Sequence, residues 1–213
     1  MELSAAHIIG ILDRVGIVAF ALSGVEVGFR RRLDIFGLLV MGVVTATGGG
    51  LMRDVVLGRL PLVVDHADYL LWAVGASAVS ALLVWRQRRV PKMLLAVADA
   101  GGLGAFAAAG ALAAIRTDLA LPGVILMAML TATGGGVVRD LLADRVPLVL
   151  RSEVNASAAA LGGFCFWLAE PVSTGGAVLL AVSATALLRV AGQTFNLHLP
   201  VPGRDDGQQG KLL

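Results

Sequence analysis

Apolar residues run along this chain in long blocks, not in alternation with polar ones. Seven blocks fall at roughly 8–29, 35–57, 69–85, 93–115, 122–143, 155–169 and 175–191. Each is near the ~17–25 residues that carry an α-helix across a bilayer, the third, sixth and seventh being short. Only helices and closed barrels satisfy their backbone in lipid, and the roughly ten-residue apolar and polar alternation of barrel strands is missing. The pattern predicts an all-α integral membrane protein with seven transmembrane helices. The first block reads as a helix and not as a cleaved leader, because Met1-Glu2-Leu3 supplies no positive charge and the apolar run is longer than a leader's.

The pattern also repeats. Thr45-Ala-Thr-Gly-Gly-Gly-Leu-Met-Arg-Asp-Val-Val-Leu-Gly-Arg-Leu-Pro-Leu62 returns 86 positions later as Thr131-Ala-Thr-Gly-Gly-Gly-Val-Val-Arg-Asp-Leu-Leu-Ala-Asp-Arg-Val-Pro-Leu148. At the same offset Asp13 matches Asp99, Gly16 matches Gly102, Phe20 matches Phe106, Gly24 matches Gly110 and Gly37 matches Gly123. The unit is three helices, at 1–90 and again at 91–172, with a seventh helix and a polar tail at 173–213. Three is odd, so the second unit enters the membrane in the opposite sense. Inverted repeats of this kind frame solute paths that run between two halves. The tail from Pro200 to Gly210 is rich in breakers and is expected to be disordered on the cytoplasmic side.

Composition agrees with the pattern. The 213 residues are 57% hydrophobic and 15% charged, with mean hydropathy +0.85, where a soluble domain carries about 25% charged residues. The net charge of +2 gives no reason to expect a nucleic-acid partner. The basic residues instead orient the chain. One side holds Arg30, Arg31, Arg32, Arg86, Arg88, Arg89, Lys92, Arg139, Arg145, Arg151, Arg189, Arg204 and Lys211, and the other only Arg14, Arg53, Arg59 and Arg116. The positive-inside rule makes the first side cytoplasmic, which places the N-terminus outside and the C-terminus inside. Tyr69, Trp72, Trp85 and Trp167 fall at block ends and read as interface anchors. A single cysteine, Cys165, and three scattered histidines, His7, His66 and His198, predict no disulfide and no metal site. No nucleophile lies beside a base and no phosphate-cradling loop follows a strand, so no enzyme and no cofactor are expected.

The candidate chemistry sits in the repeated motif. Three helical glycines cost about 3 kcal/mol relative to alanine, so Gly48, Gly49 and Gly50, and again Gly134, Gly135 and Gly136, are expected to bend or break their helices. Carbonyls freed there must face protein or water, where they and the hydroxyls of Thr45, Thr47, Thr131 and Thr133 could line a cation path. Those hydroxyls could equally bond back to their own helix. Arg53 with Asp54, and Arg139 with Asp140, point about 100° apart on a helix and need further partners. The topology offers Asp13 to Arg53 and Asp99 to Arg139 as cross-helix ion pairs. Glu26 is expected to be a solvated or lipid-facing partner of the Arg30 to Arg32 cluster.

The doubled Thr-Ala-Thr-Gly-Gly-Gly-x-x-Arg-Asp motif, set on the second helix of each of two inverted three-helix units, resembles the prokaryotic trimeric intracellular cation (TRIC) channels over about residues 5 to 192. The resemblance implies a homotrimer in a bacterial or archaeal inner membrane, with a separate pore in each protomer. It implies conduction of monovalent cations, chiefly potassium, with sodium and bound lipid as further ligands. It also implies that the second and fifth membrane helices bend at their glycines to shape the pore. Gly48-Gly49-Gly50-Leu-Met-Arg53 stands where eukaryotic members carry a Lys-Glu-Val phosphoinositide motif, so that lipid regulation does not carry over. Similar bacterial sequences are called glycine transporters, which keeps a secondary carrier of a small zwitterion as an alternative; a membrane scaffold without transport is a third.

Overall fold

A computed structural model describes residues 4–87, 91–151 and 154–195. The expected tail and the orienting charges Arg88, Arg89, Arg204 and Lys211 lie outside them. The regular structure of the described residues is all helix: α1 (Ala5–Arg30), α2 (Ile35–Val56), α3 (Leu62–Asp65), α4 (Ala67–Gln87), α5 (Lys92–Ile115), α6 (Leu121–Leu142), α7 (Leu148–Arg151), α8 (Val154–Ala169) and α9 (Thr174–Thr194). Six of these, α1, α2, α4, α5, α6 and α9, are long and apolar enough to cross a membrane. The apolar helix α8 has 16 residues, a rise of about 24 Å against a hydrocarbon layer of about 30 Å. The two one-turn helices α3 and α7 were hidden in the sequence, inside the loops that follow each motif copy.

The helix ends repeat as faithfully as the motif. Positive φ angles occur at Arg32 and Asp118, and at Gly58 and Asp144, two pairs at the 86-residue offset. Each sits just past a helix and closes the same double bond. After α2, Gly58 N–H donates to Val55 O and Arg59 N–H to Asp54 O; after α6, Asp144 N–H donates to Leu141 O and Arg145 N–H to Asp140 O. This is the Schellman closure, which satisfies carbonyls that a helix C-terminus leaves without partners. At the other end, Asp34 caps α2 by accepting from Gly37 N–H, and Ser173 caps α9 by accepting from Gly176 N–H.

Small residues set the packing. Helix α1 packs on α2, α4 and α5, and α5 packs on α1, α6, α8 and α9, with α2 and α6 crossing between them. Phe20 and Phe106, equivalent positions of the two repeats, meet at 5.2 Å between ring centroids. Gly16 makes room for Phe106: a Cβ there would stand 2.5 Å from the ring. Leu71, Trp72, Val79, Trp85, Leu168, Leu179 and Leu187 are exposed, as an apolar belt facing lipid tails requires.

Candidate functional site

The two glycine triplets meet each other. A Cβ on Gly49 would stand 2.0 Å from Thr131 O, and one on Gly135 would stand 2.1 Å from Thr45 O. Gly48 lies 3.2 Å, by the same measure, from the Cα of Gly135, and Gly134 lies 3.3 Å from the Cα of Gly49. The pairs 45 with 135 and 49 with 131 run in opposite directions, so α2 and α6 cross antiparallel with their backbones touching. A hydrogen of each central glycine points at the facing carbonyl, the geometry of a Cα–H···O contact. Gly50 and Gly136 do not join the crossing. Each faces only the Nη2 of its own arginine, at 3.8 Å, Arg53 and Arg139 respectively.

This corrects the expectation of a break. Helix α2 is continuous from Ile35 to Val56 and α6 from Leu121 to Leu142. Backbone contact between the two helices compensates for the poor helix propensity of glycine, and close packing needs small residues at two adjacent positions when the helices touch this tightly. No carbonyls are released into a path. The threonines likewise turn inward: Thr45, Thr47, Thr131 and Thr133 donate to Met41 O, Val43 O, Met127 O and Met129 O, each four residues back.

The Arg-Asp pairs build on the C-terminal side of the crossing. Arg53, 1% exposed, donates from Nη1 and Nη2 to Asp13 at 2.8 and 2.9 Å and from Nε to Asp54 at 2.8 Å. The side chains of Arg53 and Asp13 join α2 to α1, the partnership that antiparallel neighbours make available. Asp54 uses its second oxygen on the loop, accepting from Leu62 N–H at 3.0 Å, and Asp140 accepts from Leu148 N–H at 2.9 Å. The aspartate of each motif therefore clamps the loop ahead of its short helix. Adjacent residues pair more than their 100° separation suggests, because Arg Nε folds back along the helix surface.

The second copy departs from the first. Asp99 does not reach Arg139; Arg189 of α9 takes its Oδ2, from Nε and Nη2 at 2.9 Å. Arg139 instead donates from Nη1 to Ser23 of α1 at 2.6 Å and from Nε to Asp140 at 2.9 Å. The expected Asp99–Arg139 pair is not formed: Asp99 is taken by α9, a helix outside the 86-residue repeat. Arg189 counted in the sequence only toward orientation. Its place inside an apolar block is the signal that could have marked it.

Two cavities with charged residues in largely apolar walls flank the crossing. At the Arg53 end, a cavity of about 390 Å³ is lined by Arg14, Arg53, Asp54, Arg59, Asp68 and Tyr69 among others. Below it a void of about 20 Å³, bordered by Asp13, Thr47, Gly50, Arg53 and Phe106, has room for a single water. At the Arg139 end, a cavity of about 320 Å³ is lined by Ser23, Glu26, Asp99, Arg139, Arg145 and Arg189 among others. Arg145, in the loop after α6, is pulled below the ordinary arginine range by partial burial, with Arg139, Arg31 and Arg30 adding to the effect and Asp140 opposing it.

Two residues lie elsewhere than expected. Tyr69 is buried, not an interface anchor, and Arg14 lies over its ring, 5.0 Å from the centroid, while pairing with Asp68. Glu26 does pair with Arg30, from Nε at 2.9 Å, but at 5% exposure it is neither solvated nor lipid-facing. It lines the second cavity, and its buried Oε2 has no hydrogen-bond partner. Among the described residues no group of three or more His, Cys, Asp or Glu could hold a metal ion.

Residues 10–86 and 96–171 match the family model described as Glycine transporter. The UPF0126 inner membrane protein YadS of Escherichia coli K12 is 38% identical over 202 residues, 92% of this chain and 96% of that protein. A structure that reports the basis for conductance through TRIC cation channels superposes with TM-score 0.83 at 35% identity, covering 92% of this chain and 98% of that one. The TRIC trimeric intracellular cation channel orthologue from Rhodobacter sphaeroides superposes with TM-score 0.80 at 34% identity, covering 89% and 98%.

Proposed function

We infer that this chain, which belongs to the trimeric intracellular cation (TRIC) channel family, is a passive channel for monovalent cations, chiefly potassium, with sodium also admitted. Each protomer of a homotrimer carries its own path. The path runs from the cavity at Arg53 to the cavity at Arg139, beside the crossing of α2 and α6. The observation that carries this reading is the burial of Arg53 and Arg139 where the two cavities end, each held by carboxylates. A bare guanidinium would repel a cation; a neutralised one lets it pass.

The arrangement assigned to the membrane is two inverted three-helix units, α1, α2 and α4 against α5, α6 and α8, with α9 added. The repeated helix ends and the antiparallel crossing support it. The Arg53 cavity opens outside and the Arg139 cavity opens to the cytoplasm of the inner membrane, on the strength of the basic residues concentrated at the second. Opening bends α2 and α6 at their glycine triplets, where they now touch. No filter of stacked carbonyls exists in the sequence, so discrimination between potassium and sodium is modest. Bound lipid is expected around the trimer, and no cofactor.

A carrier of a small zwitterion such as glycine is the second reading, favoured by one observation: a closed crossing stands between two cavities. Purified protein in planar bilayers separates the two. Unitary currents that reverse at the potassium potential support the channel; saturable glycine uptake without unitary steps would replace it with the carrier.

A further inference from the structure

Helix α9 fills a groove in the second repeat, and the first repeat carries the same groove unfilled. The helix lies along α5 and α8. Its seat is tight: a Cβ on Gly104 would stand 3.0 Å from Val182 O, one on Gly162 2.1 Å from Thr185 Oγ1, and one on Gly192 2.2 Å from Val154 Cγ1. At the 86-residue offset Gly104, Val154 and Gly162 correspond to Val18, Asp68 and Ala76. All three of these line one cavity of about 700 Å³ between α1, α4 and the start of α5. None of the seven apolar blocks is left to occupy it, because they are α1, α2, α4, α5, α6, α8 and α9 themselves.

The groove suits a helix better than a headgroup. Ala19, Gly75 and Ala76 line it, small residues of the kind that let membrane helices touch. Among its described lining residues only Asp68 is charged, and Arg14 already holds it. Gly75 faces open space, since a Cβ there would meet nothing within 4 Å.

We propose that this groove is an interface between protomers, in which a membrane helix of a second copy of this chain lies as α9 lies in the equivalent groove. A helix in cis completes the second repeat, and a helix in trans completes the first. Groove and incoming helix are different surfaces, so the contact is heterologous, the kind from which a ring closes. The number of copies rests on the homotrimer reading above, although the choice of surface does not.

Photo-crosslinking of the full chain in native membranes identifies the occupant. Benzoylphenylalanine in place of Val79, a groove residue 59% exposed in the single protomer, should give a covalent dimer of this chain. An adduct on lipid alone, or on a different protein, overturns the proposal, and this arm needs no groove-filling variant to fold. Gly75→Leu supplies the second arm, because it adds bulk where the protomer itself has room. Its thermal unfolding should hold or rise, while light scattering in mild detergent should show the trimer dissociating at concentrations about tenfold or more above those for the wild type. A trimer that Gly75→Leu leaves as tight as the wild type would discard this surface and keep the homotrimer; a wild type that is itself a monomer would discard both.

Discussion

Asp13 accepts from both terminal nitrogens of Arg53, at 2.8 and 2.9 Å, in a place where both side chains are almost fully buried. Removing one partner leaves the other charged and buried, a loss of about 3–5 kcal/mol. Asp13→Asn should therefore cost about that much unfolding free energy in mixed micelles. Asp99→Asn should cost about 1–2 kcal/mol, between the exposed and buried limits, because the Asp99 and Arg189 side chains keep 25% and 11% of their surface. Equal losses would show that burial does not govern these pairs.

The glycines of each triplet should behave differently from one another. Gly49→Ala and Gly135→Ala put a methyl into a facing carbonyl, and overpacking of that kind costs about 1–3 kcal/mol or more. Gly50→Ala and Gly136→Ala put a methyl about 3.8 Å from an arginine nitrogen, an ordinary contact, and should gain up to about 1 kcal/mol of helix propensity. Thermal unfolding of the four variants reads the contrast directly. If the third glycine is where α2 or α6 bends, its alanine variant will be stable and yet carry altered currents.

That contrast marks the limit of what the sequence could say. The six long apolar spans, the 86-residue repeat and the Asp13 partnership follow from spacing alone, because apolar length and the adjacency of consecutive antiparallel helices constrain them strongly. The triplets did not resolve into two packing glycines and one clearance glycine, since that depends on which faces of α2 and α6 meet. Asp99 was assigned the wrong arginine because the repeat supplies a symmetric answer and Arg189 lies outside it. Glu26 looked solvated beside three arginines; only the packing of α1 shows which side of the helix it occupies.

The motif aspartates hold loops. Asp54 and Asp140 each accept a backbone N–H eight residues ahead, from Leu62 and Leu148. Asp54→Ala and Asp140→Ala should each lose about 1–3 kcal/mol of local stability, the cost of orphaning a buried polar partner. Native-state hydrogen exchange should speed up by about tenfold or more at the amides of α3 or α7, with the helix interiors little changed. Uniform acceleration across the bundle would mean the clamps support the whole fold and not the loops.

Helix α9 decides where Asp99 points. With Arg189 removed, Asp99 and Arg139 still line one cavity, and Arg139 has only a serine and its own neighbour as partners. The free carboxylate should then turn to Arg139 and re-create in the second repeat the pair that Asp13 makes in the first. A double-mutant cycle tests this. In the wild-type background the coupling between Asp99→Asn and Arg139→Gln should lie within about 0.5 kcal/mol of zero, as for residues without a shared contact. In an Arg189→Gln background it should rise to about 1–3 kcal/mol. Coupling that stays near zero would mean that the backbone of α5, and not competition from Arg189, keeps the two residues apart.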